Sequence, residues 1–155
     1  MTEARSLMTK KIIKIKPEMP MQIAYEEMKA HGIRHLPVVD QVGKLVGILS
    51  DVDVQRAVNV KTINEIEREM TFNPHDTVEN FMSWPVQTVD ERTSIKELTK
   101  MMIELKVSAI VVNGPNQYVK GIITTEDLLK YLLEFINTSE TNKSMTISKL
   151  YWDHC

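Results

Sequence analysis

The sequence predicts an α/β fold of the α+β kind, built from two tandem β-α-β-β-α units, and three observations point to it. Gly47-Ile48-Leu49-Ser50-Asp51-Val52-Asp53 returns 74 residues later as Gly121-Ile122-Ile123-Thr124-Thr125-Glu126-Asp127. The same offset aligns Leu7-Met8-Thr9 with Phe81-Met82-Ser83, Met28 with Met102 and Val38 with Val112, without a gap. Within each unit, helical apolar spacing gives way to short β-branched runs bounded by turn residues. Two such units in one chain imply internal pseudo-two-fold symmetry, with function expected in the cleft between the halves.

The elements follow in order. Ile12 to Ile15 reads as a short strand, and Pro17 and Pro20 punctuate the turn after it. Met21 to His31 is helical, with Ile23, Ala24 and Met28 as its apolar stripe and Gly32 as a left-handed cap. His35 to Val39 and Leu45 to Leu49 form a hairpin around Gln41-Val42-Gly43-Lys44. Ser50 then caps a helix from Asp51 to Val58, with acids at its positive end. In the second unit Val86 to Val89 is a strand, and Ser94 caps a helix reaching Lys106 with Ile95, Leu98, Met102 and Leu105 inward. Strands at Val107 to Val112 and Tyr118 to Ile123 flank the turn Asn113-Gly114-Pro115-Asn116, and Thr124 caps a last helix ending near Ile136. Asp76 is expected to cap a short helix leading into Phe81-Met82. These assignments divide the chain into repeat 1 at 3–58, a linker at 59–76, repeat 2 at 77–136 and a mobile tail at 137–155. The charged run Asn64 to Glu69 is expected to be a solvated connector or a helical turn.

Composition narrows the function classes. The chain has 155 residues, 43% apolar and 26% charged, as in ordinary globular proteins. No apolar run is long enough to span a bilayer and the N-terminus lacks a secretory core, so a cytoplasmic location is expected. A net charge of −2 gives no bulk attraction to nucleic acid or to an anionic membrane. Cys155 is the single cysteine, and Asp153-His154-Cys155 is too unsupported to hold a metal. Five glycines leave no Gly-rich phosphate loop, and no nucleophile has a base placed beside it, so an enzyme is not expected.

The repeated [Ser/Thr]-x-x-Asp carries the most specific chemistry. A hydroxyl residue ends a strand and caps a helix, and an aspartate follows on the first turn. Free amides at a helix N-terminus favour an anion, and the carboxylate accepts bidentate hydrogen bonds from a ribose diol. The structural alternative is a capping box, in which Asp53 and Asp127 only bond back to Ser50 and Thr124.

Gly47-Ile-Leu-Ser-Asp-Val-Asp-Val and Gly121-Ile-Ile-Thr-Thr-Glu-Asp-Leu are each preceded by an apolar strand, His35-Leu-Pro-Val-Val-Asp or Ala109-Ile-Val-Val-Asn, and by an opening Met-[Ser/Thr]. This order resembles the cystathionine-beta-synthase (CBS) domain, and the pair resembles a Bateman module, over residues 3 to 136. The resemblance implies two repeats packed into a pseudo-symmetric disc that often dimerises. It also implies up to two clefts for AMP, ADP, ATP, S-adenosylmethionine, NAD or cyclic di-AMP. Carried onto this chain, cleft one combines Thr9, Ile12, Ile33, Arg34 and His35 with Thr124 and Asp127. Cleft two combines Ser83, Val86, Val107, Ser108 and Ala109 with Ser50 and Asp53. The aspartates are expected to hold ribose hydroxyls and the apolar residues to sandwich adenine.

Arg34-His35 in the first repeat corresponds to the uncharged Ser108-Ala109 in the second, so cationic help for a phosphate is expected from one half only. Asp51 and Glu126 weigh against a polyphosphate. The favoured ligand is AMP or ADP, or ATP with Mg²⁺. In the segment Leu128-Leu-Lys-Tyr-Leu-Leu-Glu-Phe-Ile136 nearly the whole helical circumference is apolar, which predicts either a homodimer interface or cover by the tail, and Tyr151-Trp152 at the tail's end are candidates to dock on this chain or on a neighbour. The expected protein is a nucleotide-sensing regulatory module that signals to a separate effector protein. The alternative is a ligand-free dimerisation scaffold.

Overall fold

The computed structural model describes residues 2–152 of the chain, with side chains to residue 141. Its elements run α1 (Ala4–Leu7), α2 (Met21–His31), β1 (His35–Val39), β2 (Leu45–Ser50), α3 (Asp51–Ala57), β3 (Val58–Thr62), β4 (Arg68–Phe72), α4 (Val78–Phe81), β5 (Thr88–Asp90), α5 (Ile95–Leu105), β6 (Ala109–Asn113), β7 (Val119–Thr124) and α6 (Thr125–Trp152). Helices and antiparallel hairpins mix in an α+β fold. β1 pairs with β2, β3 pairs with β4, and β6 lies between parallel β5 and antiparallel β7.

Each half has its own core. Ile15, Met21, Ala24, Met28, Leu36, Val38, Leu49 and Val54 pack in the first, and Val89, Leu98, Met102, Ile110, Val112 and Ile123 in the second. The opening helices are exchanged between them. Ala4 and Met8, at α1, are buried in the second core, while Val78, on α4, is buried in the first with Phe81 and Met82 beside it. Backbone bonds fix the exchange. Thr9 and Ile122 donate to each other's carbonyls at 2.9 and 3.2 Å, and Ser83 and Ile48 do the same at 2.9 and 3.1 Å. The two pairs are related by the repeat offset, so the halves are stitched together by equivalent ladders.

The motif glycines allow this seam. A Cβ at Gly121 would lie 2.5 Å from Met8 Sδ and 2.9 Å from Met8 Cβ, and one at Gly47 would collide with Met82 Sδ. Each strand must approach the other half's methionine with no side chain of its own. Gly32, at φ +61°, closes α2 with its N–H on the Met28 carbonyl.

Several expectations are corrected. The Ile12–Ile15 strand shrinks to Ile15, bridged to Val38, because only Ile15 of that segment is buried. The Val86–Val89 strand moves to Thr88–Asp90. The predicted linker contains a β-hairpin rather than a helical turn, and Asn64 to Glu69 forms its solvated tip. β-branched Val58 and Val60 favour strand, and Asn64 Oδ1 accepts from the Ile66 and Glu67 amides at 2.9 and 2.8 Å to form the turn. Thr77, not Asp76, caps α4, its hydroxyl and amide bonded to Asn80 Oδ1. Pro115–Gln117 is a short 3-10 turn. The last helix does not stop near Ile136. No Gly or Pro interrupts 125–152, and Thr138, Ser139 and Thr141 satisfy their hydroxyls on carbonyls four residues back. The side chains of Tyr151 and Trp152, and residues Asp153, His154 and Cys155, lie outside the described residues. Among the described residues no helix is long and apolar enough to cross a membrane.

Candidate functional site

The seam between the halves opens into a cavity of about 290 Å³. Its wall contains Thr9, Ile12, Ile33, Arg34 and His35 from the first repeat, and Thr124 and Asp127 from the second. All seven residues grouped from sequence as cleft one therefore meet at one place. Chain geometry explains the meeting. Thr9 is bonded to Ile122, two residues before Thr124, and Arg34 and His35 leave the left-handed cap at Gly32 to start β1.

Asp127 is half-buried on the first turn of α6. The Thr124 amide and hydroxyl donate to its Oδ2 at 2.8 and 3.2 Å, which is the capping arrangement expected as the structural alternative. It occupies one carboxylate oxygen. Oδ1 has no hydrogen bond among the described residues, so the cap leaves an acceptor for a ligand hydroxyl. Ile12, Ile13, Ile33 and Ile122 add apolar wall.

The structure adds three charged residues that the site prediction omitted: Lys11, Glu126 and Lys130. Lys130 binds Glu126 at 3.0 Å, and that bond and charge hold the Glu126 carboxyl below its usual range and push the Lys130 ammonium up. The acid thought to oppose a phosphate is thus neutralised by its neighbour one turn on. A sequence signal existed, since Glu126 and Lys130 have the i, i+4 order that favours pairing. For Lys11 the strand reading drew attention to Ile12 instead.

His35 stands between the two sites. Its Nε2 is 2.9 Å from Ser108 Oγ, across the seam. Burial pulls its pKa below the ordinary histidine value; Asp51 opposes this, Arg34 adds to it, and Asp53 opposes it. Burial thus favours the neutral ring.

The residues grouped as cleft two lie along the equivalent stretch of the seam. Ser83 is bonded to Ile48, two residues before Ser50, and Ser108 reaches His35, the register partner of Ser50. Ala109 begins β6 opposite Thr124, Val107 precedes it, and Val86 is half-buried ahead of β5. Asp53, however, is buried, and both its oxygens are engaged. Ser50 donates amide and hydroxyl to Oδ2 at 2.8 and 3.0 Å, and the Arg56 guanidinium binds Oδ1.

A second, more apolar groove of about 560 Å³ adjoins cleft one, between α2, α3 and the β3–β4 hairpin, lined by Tyr25, Met28, Val54, Val58 and Met70 among others. It shares Gly32, Ile33 and Arg34 with cleft one and includes Asp51, but neither the hydroxyl residue nor the aspartate of either motif lines it.

Exchanged opening helices, paired glycine-led strands and capped aspartates on a shared seam make the chain a tandem pair of like domains. The CBS domain model matches residues 4–60 and 67–134, and the chain belongs to that family. Among its relatives is an uncharacterized 17.7 kDa protein of Acidianus ambivalens, 25% identical over 142 residues, covering 92% of this chain and 79% of the relative. The CBS domain pair of MJ0100, solved with 5′-methylthioadenosine and S-adenosyl-L-methionine, is 26% identical with a TM-score of 0.71, covering 85% of this chain and 96% of that one. CBSX2, solved with AMP, superposes with a TM-score of 0.70 at 20% identity, over 87% of this chain and 98% of that one, and shows the shared fold.

Proposed function

We propose that this protein is a non-catalytic regulatory module that binds AMP, ADP, or ATP with Mg²⁺ in cleft one and reports occupancy to a separate effector protein. The observation that carries this reading is Asp127 on the wall of a cavity that also holds Arg34, Lys11 and four isoleucines, its Oδ2 bonded to Thr124 and its Oδ1 without a hydrogen bond among the described residues. A carboxylate with one fixed oxygen and one open oxygen suits a ribose diol. The isoleucines suit a purine face. With Lys130 and Glu126 paired to each other, Arg34 and Lys11 remain against Asp127 and suit a phosphate. The adenosine ligands bound by the MJ0100 pair support the nucleoside part.

The output would pass through α6. Its residues Leu129, Leu132, Leu133, Phe135 and Ile136 are 42–64% exposed, an apolar surface that a second copy of the chain would bury in a homodimer. The same surface favours the rival reading, a dimerisation scaffold with no ligand. Calorimetric titration with AMP, ADP, ATP with and without Mg²⁺, S-adenosylmethionine and cyclic di-AMP separates the two. Saturable binding by an adenine nucleotide is expected; a folded dimer that binds none of the panel would establish the scaffold.

A further inference from the structure

The two repeats differ at one pair of positions that decides whether the aspartate is available. Arg56 and Lys130 are equivalent under the repeat offset, each three residues after the motif aspartate and each able to reach it. They choose different partners. Arg56 binds Asp53 Oδ1 and donates a second bond to the Phe81 carbonyl at 3.3 Å, while Lys130 turns away from Asp127 to Glu126. The residue four positions back explains the choice. For Lys130 it is Glu126; for Arg56 it is Val52, which offers no charge. With no acid at that position, the guanidinium settles on the aspartate itself. Ser108, the other polar side chain grouped with this cleft whose partner lies across the seam, is taken by His35.

We infer that Arg56 is an internal latch that closes cleft two, and that the residue at position 52 or 126 determines which of the two clefts is open. The chain is then a single-site module, one nucleotide per protein molecule, although both motif aspartates are intact. This rests on the nucleotide reading of cleft one and adds its stoichiometry. The latch also sets what an opened cleft two would prefer. Ser108 stands where cleft one has Arg34, and Pro85 where it has Lys11, so the opened site would take adenosine in preference to ADP.

Calorimetry on the full chain tests this, with ADP and adenosine as probes. Wild-type protein is expected to bind one ADP. Val52→Glu, at a 59% exposed position, should draw Arg56 off Asp53 and add a second, weaker event with adenosine; Arg56→Ala should do the same. Glu126→Val should send Lys130 onto Asp127 and weaken adenosine at cleft one at least tenfold. Adding Lys130→Ala to that variant should restore it. Two equivalents of ADP on the wild-type protein would overturn the latch. So would Val52→Glu and Arg56→Ala proteins that fold by circular dichroism and still bind a single adenosine. Failure of the wild-type protein to bind any adenosine compound would instead remove the nucleotide reading itself, before any variant is made.

Discussion

Asp127→Ala tests the binding site and the helix cap at once, and the two effects are separable. In the structure Oδ2 receives the Thr124 amide and hydroxyl at 2.8 and 3.2 Å, while Oδ1 has no partner among the described residues. The substitution removes the cap bonds from the folded protein and the open acceptor from the complex. Loss of a cap costs about 1 kcal/mol of stability, which at this size lowers Tm by about 2–4 °C. Loss of a charge-assisted bond to a ribose hydroxyl costs about 1.5–3 kcal/mol of binding, an increase in Kd of about 10- to 150-fold. Calorimetric titration at 25 °C reads the second effect and a thermal melt of the free protein the first. If Tm falls as expected while Kd stays within about twofold, Asp127 is a cap alone and cleft one is wrongly assigned. Asp53→Ala gives an internal comparison. Its carboxylate is already latched by Arg56, so nucleotide affinity should not change.

Arg34→Ala should weaken ADP and ATP by about tenfold and leave adenosine unchanged, since only a phosphate needs the guanidinium; equal losses for all three would take Arg34 out of the site. Gly121→Ala places a Cβ 2.5 Å from Met8 Sδ, 2.8 Å from its Cγ and 2.9 Å from its Cβ, too close for a side-chain swing alone to relieve. Urea unfolding should show a loss of about 1–3 kcal/mol, partly recovered by adding Met8→Ala, and an unchanged midpoint would mean the seam is not close-packed. For His35 the folded pKa lies below the unfolded one, chiefly through burial, so the unfolded chain binds more protons and stability falls as pH drops from about 6.5 toward the lowered folded value. His35→Gln should therefore lose less stability than wild-type protein between pH 7 and pH 5; parallel losses would show that His35 does not titrate in that window.

Legibility in the sequence followed the range of the interactions. The bounds of α2 and β1 were readable because Gly32 and the β-branched run act locally. The composite cleft was readable only through the 74-residue repeat and the family resemblance, since no local pattern says that Thr9 pairs with Ile122. The exchange of α1 and α4 was invisible for the same reason. Ala4 and Met8 look like any short apolar run until the opposite core receives them. The run Asn64 to Glu69 is solvated, as its charge implies, but charge says nothing of the β3–β4 pairing beside it, whose signals are the flanking valines and Asn64. The length of α6 was missed because Ser, Thr and Asn after Ile136 suggested coil, yet each of the described hydroxyls turns back onto the helix.

The placement of Asp127 gives nucleotide binding a mechanical consequence within the proposed reading. The residue is both a wall of the cavity and part of the first turn of α6, and Thr124 ends the strand that Thr9 ties to the other half. A ligand held by Asp127 and Arg34 at once pulls on the N-terminus of that helix from across the seam. α6 has 28 residues and at 1.5 Å per residue is about 42 Å long, so a tilt of only about 5° at the cleft moves its far end by about 4 Å. The apolar stretch Leu129 to Ile136 lies in the first half of this lever, where a second copy would pack, and the rest of the helix continues beyond it. A tenfold preference of the ligand for one tilt supplies about 1.4 kcal/mol to bias the arrangement. That is small against the stability of a folded domain, but sufficient to shift a balanced equilibrium between two dimer geometries. One open cleft and one latched cleft suit this task. A single pull at one cleft breaks the pseudo-symmetry, whereas equal pulls at both clefts would act on α3 and α6 together, and of these two α6 alone is long enough to carry the displacement outward.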